Sequence, residues 1–158
     1  MGGIVMKCKE LMVGDLINNL YGVQMRVVKV YDGYAYASPV NSRRTTWRFD
    51  DECEHPVPIP LTCEILKKNG WYWGLTSDEE DIESCIGGSY GKHWVYDEGA
   101  GEISLIFPDY TNGGLLKIDD QRFNRHLEFI WNDALYVHEL QRALRLCGLD
   151  ELADNFKV

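Results

Sequence analysis

No stretch of this 158-residue chain holds the roughly 18 to 20 consecutive apolar residues that cross a bilayer as a helix. The start, Met1-Gly2-Gly3-Ile4-Val5-Met6-Lys7, lacks the basic region and long apolar stretch of a secretory signal. A soluble, cytoplasmic protein with no membrane partner is expected. Cysteine is sparse and odd in number: Cys8, Cys53, Cys63, Cys85 and Cys147 are widely scattered, whereas disulfide frameworks show even counts at tight spacing. Reduced thiols are expected. Positive charge is also scarce, with 16 Lys and Arg against 25 Asp and Glu for a formal net charge of -9. The long-range field therefore repels phosphate, and any nucleic-acid role needs a local basic patch. No internal repeat or low-complexity tract is present, which excludes solenoids and arrays.

Catalytic and metal motifs are missing in instructive ways. Gly87-Gly88-Ser89-Tyr90-Gly91 spells a nucleophile elbow, but that motif works only where a strand turns sharply into a helix, and here an acidic loop precedes it and a strand pattern follows. His138-Glu139-Leu140-Gln141-Arg142 begins like a zincin helix, yet Arg142 stands where the second imidazole belongs, and a cation cannot ligate zinc. Cys53, His55, Cys63, Cys85 and His93 offer no Cys-x-x-Cys or His-x-x-x-His clip, so neither a metal nor another cofactor is expected. Asp78, Glu79, Glu80 and Asp81 lack the alternating oxygen ligands and central glycine of a calcium loop. They read as a solvated acidic loop, or in functional terms as a contact for a basic partner. Nothing pairs His93, His126 or His138 with particular acids, which leaves a hydrolase or nuclease without support.

What is present is a folding composition, 45% hydrophobic and 12% aromatic, and a pattern of short strands. Val13-Gly14-Asp15-Leu16-Ile17 and Gln24 to Tyr31 read as two strands, Asp32-Gly33 as a hairpin turn, and Tyr34 to Ala37 and Thr45 to Phe49 as two more. Residues 1–49 thus form an N-terminal β module that reads as a small SH3-like barrel or curled sheet. Three alternating prolines make 50–60 an extended connector. Residues 61–158 form an α+β module, with the option of one core shared by both. It opens with a helix from Cys63 to Asn69, N-capped by Thr62 and closed by Gly70. An antiparallel meander of four or five strands follows, reaching from Trp71 to Trp131. The closing helix, Ala134 to Cys147, is expected to be capped by Asn132 or Asp133 and to dock Val137, Leu140, Leu144 and Cys147 on the meander. His138, Glu139, Arg142 and Arg145 then lie at its edges or in solvent.

The one basic cluster with an interleaved ring is Arg43, Arg44, Trp47 and Arg48. It suits phosphate contact with base stacking, but it reads first as a charged strand edge that discourages aggregation, because the net charge opposes the alternative.

Pro58-Ile59-Pro60-Leu61-Thr62-Cys63-Glu64-Ile65-Leu66-Lys67-Lys68-Asn69-Gly70, Tyr136-Val137-His138-Glu139-Leu140-Gln141 and the opening Val13-Gly14-Asp15 resemble, in this order, the recurring segments of a family of short Bacteroides-type phage and mobile-element proteins of unassigned function. Cys63 replaces the proline expected after the threonine, removing a residue that preorganises the first helical position. The resemblance implies an accessory protein and supplies no catalytic residues. Together with the ring-rich composition it leads to a non-enzymatic protein that binds another macromolecule, a protein ahead of nucleic acid.

Overall fold

β-branched and aromatic residues dominate Gln24–Val30 and Tyr34–Pro39, and the Asp32-Gly33 turn between them folds them into a hairpin. Gly33 sits at φ 87°, and Tyr31 N donates to Tyr34 O at 2.9 Å to close the turn. With Leu16–Asn18 as β1 and Trp47–Asp50 as β4, these strands (β2, β3) form an antiparallel sheet in the order β1-β2-β3-β4. Asn18 also bridges Val57. The pairing is open, so the expected barrel closure does not occur among the described residues. A computed structural model describes residues 6–42, 44–74, 93–97, 101–106, 114–120 and 125–158.

A second antiparallel sheet runs β5-β6-β7-β8-β9 through Tyr72–Gly74, His93–Asp97, Gly101–Ile106, Gly114–Asp120 and Arg125–Trp131. The chain is therefore α+β, with two antiparallel sheets and short helices. The helices are α1 (Cys63–Lys68), α2 (Val137–Leu146) and α3 (Asp150–Asp154). Among the described residues no helix is long and apolar enough to cross a membrane.

Helix ends follow the sequence signals closely. Thr62 Oγ1 accepts Ile65 N at 3.3 Å, a cap worth about 1 kcal/mol. At the far end of α1, Gly70 N donates to Lys67 O at 3.1 Å and Trp71 N to Leu66 O at 3.0 Å. The same pair of bonds closes α2, from Gly148 N to Arg145 O at 3.0 Å and from Leu149 N to Leu144 O at 2.9 Å. Both are Schellman ends with a left-handed glycine. The start of α2 departs from expectation: Tyr136 precedes it with no side-chain cap, and neither Asn132 nor Asp133 serves. Leu149 precedes α3, also with no side-chain cap.

Contacts divide the chain into two compact units, Met1–Pro60 with Tyr136–Val158, and Leu61–Leu135. In the first, the inner face of the sheet packs Ile17, Met25, Val27, Ala35, Ala37 and Phe49 against Met6, Cys8 and Leu11. Helix α2 buries Val137, Leu140, Leu144 and Cys147, the expected stripe, but its contacts are with β1 and α3 in place of the expected docking on the meander. In the second, Leu61, Leu66, Trp71, Val95, Ile103, Leu105, Leu116 and Ile118 are buried, and the Trp71 and Tyr96 rings lie 5.8 Å apart.

Two expectations for the closing helix change. The grouping of 61–158 as one module gives way to a first unit that includes α2 and α3. The reason is polar: Gln141 and Arg145, which an apolar periodicity ignores, reach back to the Gly14-Asp15-Leu16 turn. Gln141 Oε1 accepts Leu16 N at 2.9 Å while Nε2 donates to Gly14 O at 3.1 Å and Ala153 O at 2.9 Å. The expected outward placement also fails for His138, which is 6% exposed, and for Arg145, whose Nη1 lies 2.6 Å from the buried Asp15 Oδ1.

Candidate functional site

The outer face of the N-terminal sheet is covered at one end and open at the other. Strand alternation sends Leu16 and Arg26 outward as cross-strand partners. There Leu16 is buried, and Arg26 spends its guanidinium on Gly14 O at 3.0 Å and Phe156 O at 3.2 Å. Further along the same face stand Lys29, Tyr34, Tyr36 and Arg48, with Lys29 opposite Tyr36 and Tyr36 opposite Arg48. Between Val27 and Lys29 the β2–β3 register shifts. The extra residue of this bulge, Val28, is 41% exposed, so both Val28 and Lys29 face solvent beside Tyr36. Bulges commonly re-aim side chains at functional surfaces.

The rings on this face are organised before any partner arrives. Tyr31, 43% exposed, stacks on Tyr34 at 4.7 Å and 14°, and Tyr36 stands edge-on to both at 6.4 and 6.0 Å. The Arg48 guanidinium carbon lies 5.1 Å from the Tyr34 ring centre, within cation–π range. Asp50, opposite Tyr34, spends one carboxylate oxygen on the amides of Glu52, Cys53 and Glu54 at 2.9, 2.7 and 3.2 Å. Those amides hold its carboxyl below the usual carboxylate range, keeping it charged.

The sequence-based basic cluster is split by this geometry. Arg44 and Arg48 are exposed, but Trp47 alternates to the inner face, where it packs against the core and its Nε1 is buried without a hydrogen-bond partner. Trp47 is thus core wall and not a stacking platform beside Arg48, though the 76% exposed Tyr21 meets it at 6.0 Å. Arg43 and the acidic run Asp78, Glu79, Glu80 and Asp81 lie outside the described residues. Tyr31, Tyr34, Tyr36 and Lys29 escaped the sequence reading, although period-two alternation through the Asp-Gly hairpin was the signal that could have found them.

Other chemically interesting groups serve the scaffold. Burial first, then hydrogen bonding and charge from Asp51, push the Cys8 thiol up to about 12, which makes it an inert core group. His138 is driven down to about 4 by burial and by Arg142, and its Nδ1 has no hydrogen-bond partner. The side chains of His93 and His126 lie outside the described residues, as does Cys85. Among the described residues no group of three or more His, Cys, Asp or Glu could hold a metal ion. No protein-family model, no curated protein and no solved structure matches the chain.

Proposed function

We propose that this chain is a non-enzymatic accessory protein that binds a protein partner through the open outer face of its N-terminal sheet. The carrying observation is the stack of Arg48, Tyr34 and Tyr31 with Tyr36 edge-on. Tyr and Arg are the residues most enriched among interface hot spots, and rings already fixed in place lose little side-chain entropy on binding. Exposed Asp32 beside Tyr31, and Asp50 opposite Tyr34, set carboxylates next to the rings and disfavour a uniform polyanion. The resemblance to phage and mobile-element proteins agrees with an accessory role, and a cytoplasmic location goes with it.

Affinity purification from the native host followed by mass spectrometry tests this reading. The wild-type chain should recover a reproducible partner that a folded Tyr31→Ala/Tyr34→Ala variant loses. Recovery of bait alone, or equal recovery by both, would overturn it.

A second reading, nucleic-acid binding, draws on the exposed Arg44 and Arg48. It requires an electrophoretic shift that weakens steeply as salt rises. No shift at low salt would end it.

A further inference from the structure

Resting on the protein-binding reading, we infer that this face recognises an acidic segment of its partner, which lays an apolar or aromatic side chain on Val28 and Tyr36 between carboxylates held by Lys29 and Arg48. Three observations converge on this chemistry. The first is the cross-strand row: Lys29 lies opposite Tyr36 and Tyr36 opposite Arg48, so the Tyr36 position stands between two basic positions on strands about 10 Å apart, twice the neighbouring-strand spacing. The second is the bulge, which adds exposed Val28 to the ring and gives the row an apolar seat.

The third is charge left without a direct ion pair. The chain carries 25 Asp and Glu against 16 Lys and Arg, yet neither Lys29 nor Arg48 makes an ion pair among the described residues. Asp50, the acid standing in the Arg48 strand on this face, is committed to the amides of Glu52, Cys53 and Glu54. Arg48 is held over Tyr34 through its ring contact and keeps its N–H donors for a carboxylate. Two cations without a direct ion pair, Arg48 sensing only the amide-held carboxylate of Asp50, would orient an acidic segment onto this face of an otherwise acidic molecule. A nucleic-acid backbone would fit less well, since its evenly spaced phosphates cannot avoid Asp32 and Asp50, whereas a peptide can place uncharged residues there and acids only at Lys29 and Arg48.

The test uses fluorescence anisotropy at low salt with three labelled probes: a random Glu–Tyr copolymer, a random Lys–Tyr copolymer and oligo-dT. The Glu–Tyr copolymer should bind best and lose affinity as salt rises. Lys29→Glu/Arg48→Glu should weaken it about 10-fold or more, the scale expected from paired charge contacts. Lys9→Glu/Lys67→Glu, an equal charge change at two exposed cations elsewhere, should leave it nearly unchanged. Circular dichroism checks that both variants are folded. Absence of Glu–Tyr binding, equal loss in both variants, or tighter binding of either other probe would overturn the inference. If the native partner is lost with Tyr31→Ala/Tyr34→Ala but retained with Lys29→Glu/Arg48→Glu, protein binding through this face stands and the acidic-segment inference falls.

Discussion

Arg145 Nη1 donates to Asp15 Oδ1 at 2.6 Å, joining residues 130 positions apart in sequence. Asp15 is fully buried and also accepts Met12 N at 2.8 Å, so its carboxylate takes its countercharge chiefly from this guanidinium, with a smaller share from Arg142. Removing one member of a buried pair strands the other and costs about 3 to 5 kcal/mol. Arg145→Ala should therefore lower stability on the same scale as Leu140→Ala, where truncating a fully buried leucine costs about 2 to 5 kcal/mol. Urea unfolding of both variants, with Asp15→Asn/Arg145→Ala completing a cycle, measures this. A change below about 1 kcal/mol for Arg145→Ala would return that residue to a surface role.

Gln141 makes the same join without charge. Fully buried, it satisfies Leu16 N, Gly14 O and Ala153 O, tying β1, α2 and α3 together. Gln141→Leu keeps the volume but strands the buried Leu16 N, at a cost of about 1 to 3 kcal/mol, while Gly14 O keeps Arg26 Nη1 and Ala153 O keeps Phe156 N. A loss of about 1 to 3 kcal/mol in urea unfolding is expected. Gln141→Glu should also destabilise, because a carboxylate cannot donate to the two carbonyls.

These contacts show which parts of the molecule were legible. The hairpin strands, the Asp32-Gly33 turn and both glycine helix ends follow from residue choice over a few positions and occur where the sequence places them, whereas the strand expected over Val13-Gly14-Asp15-Leu16-Ile17 begins only at Leu16, after a turn at Val13-Gly14. The apolar stripe of α2 was legible for the same reason. What that stripe packs against was not, because Gln141 and Arg145 carry no periodic signature and their partners lie at the other end of the chain. The ring face escaped for a related reason: Arg48 and Tyr34 meet only through the β3–β4 register, while the neighbouring Trp47 alternates to the opposite side. The segments Val13-Gly14-Asp15 and Tyr136 to Gln141, read separately as strings, prove to be two halves of one structural joint.

Gly14 is the tightest point of that joint. It sits at φ 94°, and an added Cβ would lie 2.6 Å from Arg145 Nη2 and 2.9 Å from Asp154 Oδ1. Gly14→Ala should thus incur both left-handed backbone strain, about 1 to 2 kcal/mol, and displacement of the Arg145 guanidinium. Gly33→Ala, at φ 87° in open space, bears the backbone strain alone. Thermal unfolding should rank Gly14→Ala well below Gly33→Ala, and equal melting temperatures would show that the guanidinium relocates at no cost.

His138 sets an acid limit on the first unit. Its ring stacks near Tyr136 at 6.1 Å, its Nδ1 has no partner, and burial together with Arg142 lowers it from 6.5 to about 4. A depressed folded-state value means that the unfolded chain takes up the proton first. The stability from neutral His138 is therefore complete above about pH 6.5 and is lost as pH falls toward about 4, by an amount up to about 3 kcal/mol. Burial raises the carboxyls of Asp15 and Glu139, so those groups act in the opposite sense and partly mask the loss in the wild-type chain. Comparison with His138→Phe, which keeps a ring against Tyr136 and removes the titration, isolates the histidine. Between pH 7 and pH 4 the urea midpoint of His138→Phe should rise relative to that of the wild type as pH falls; if their difference stays constant across that range, His138 is not the group that responds to acid.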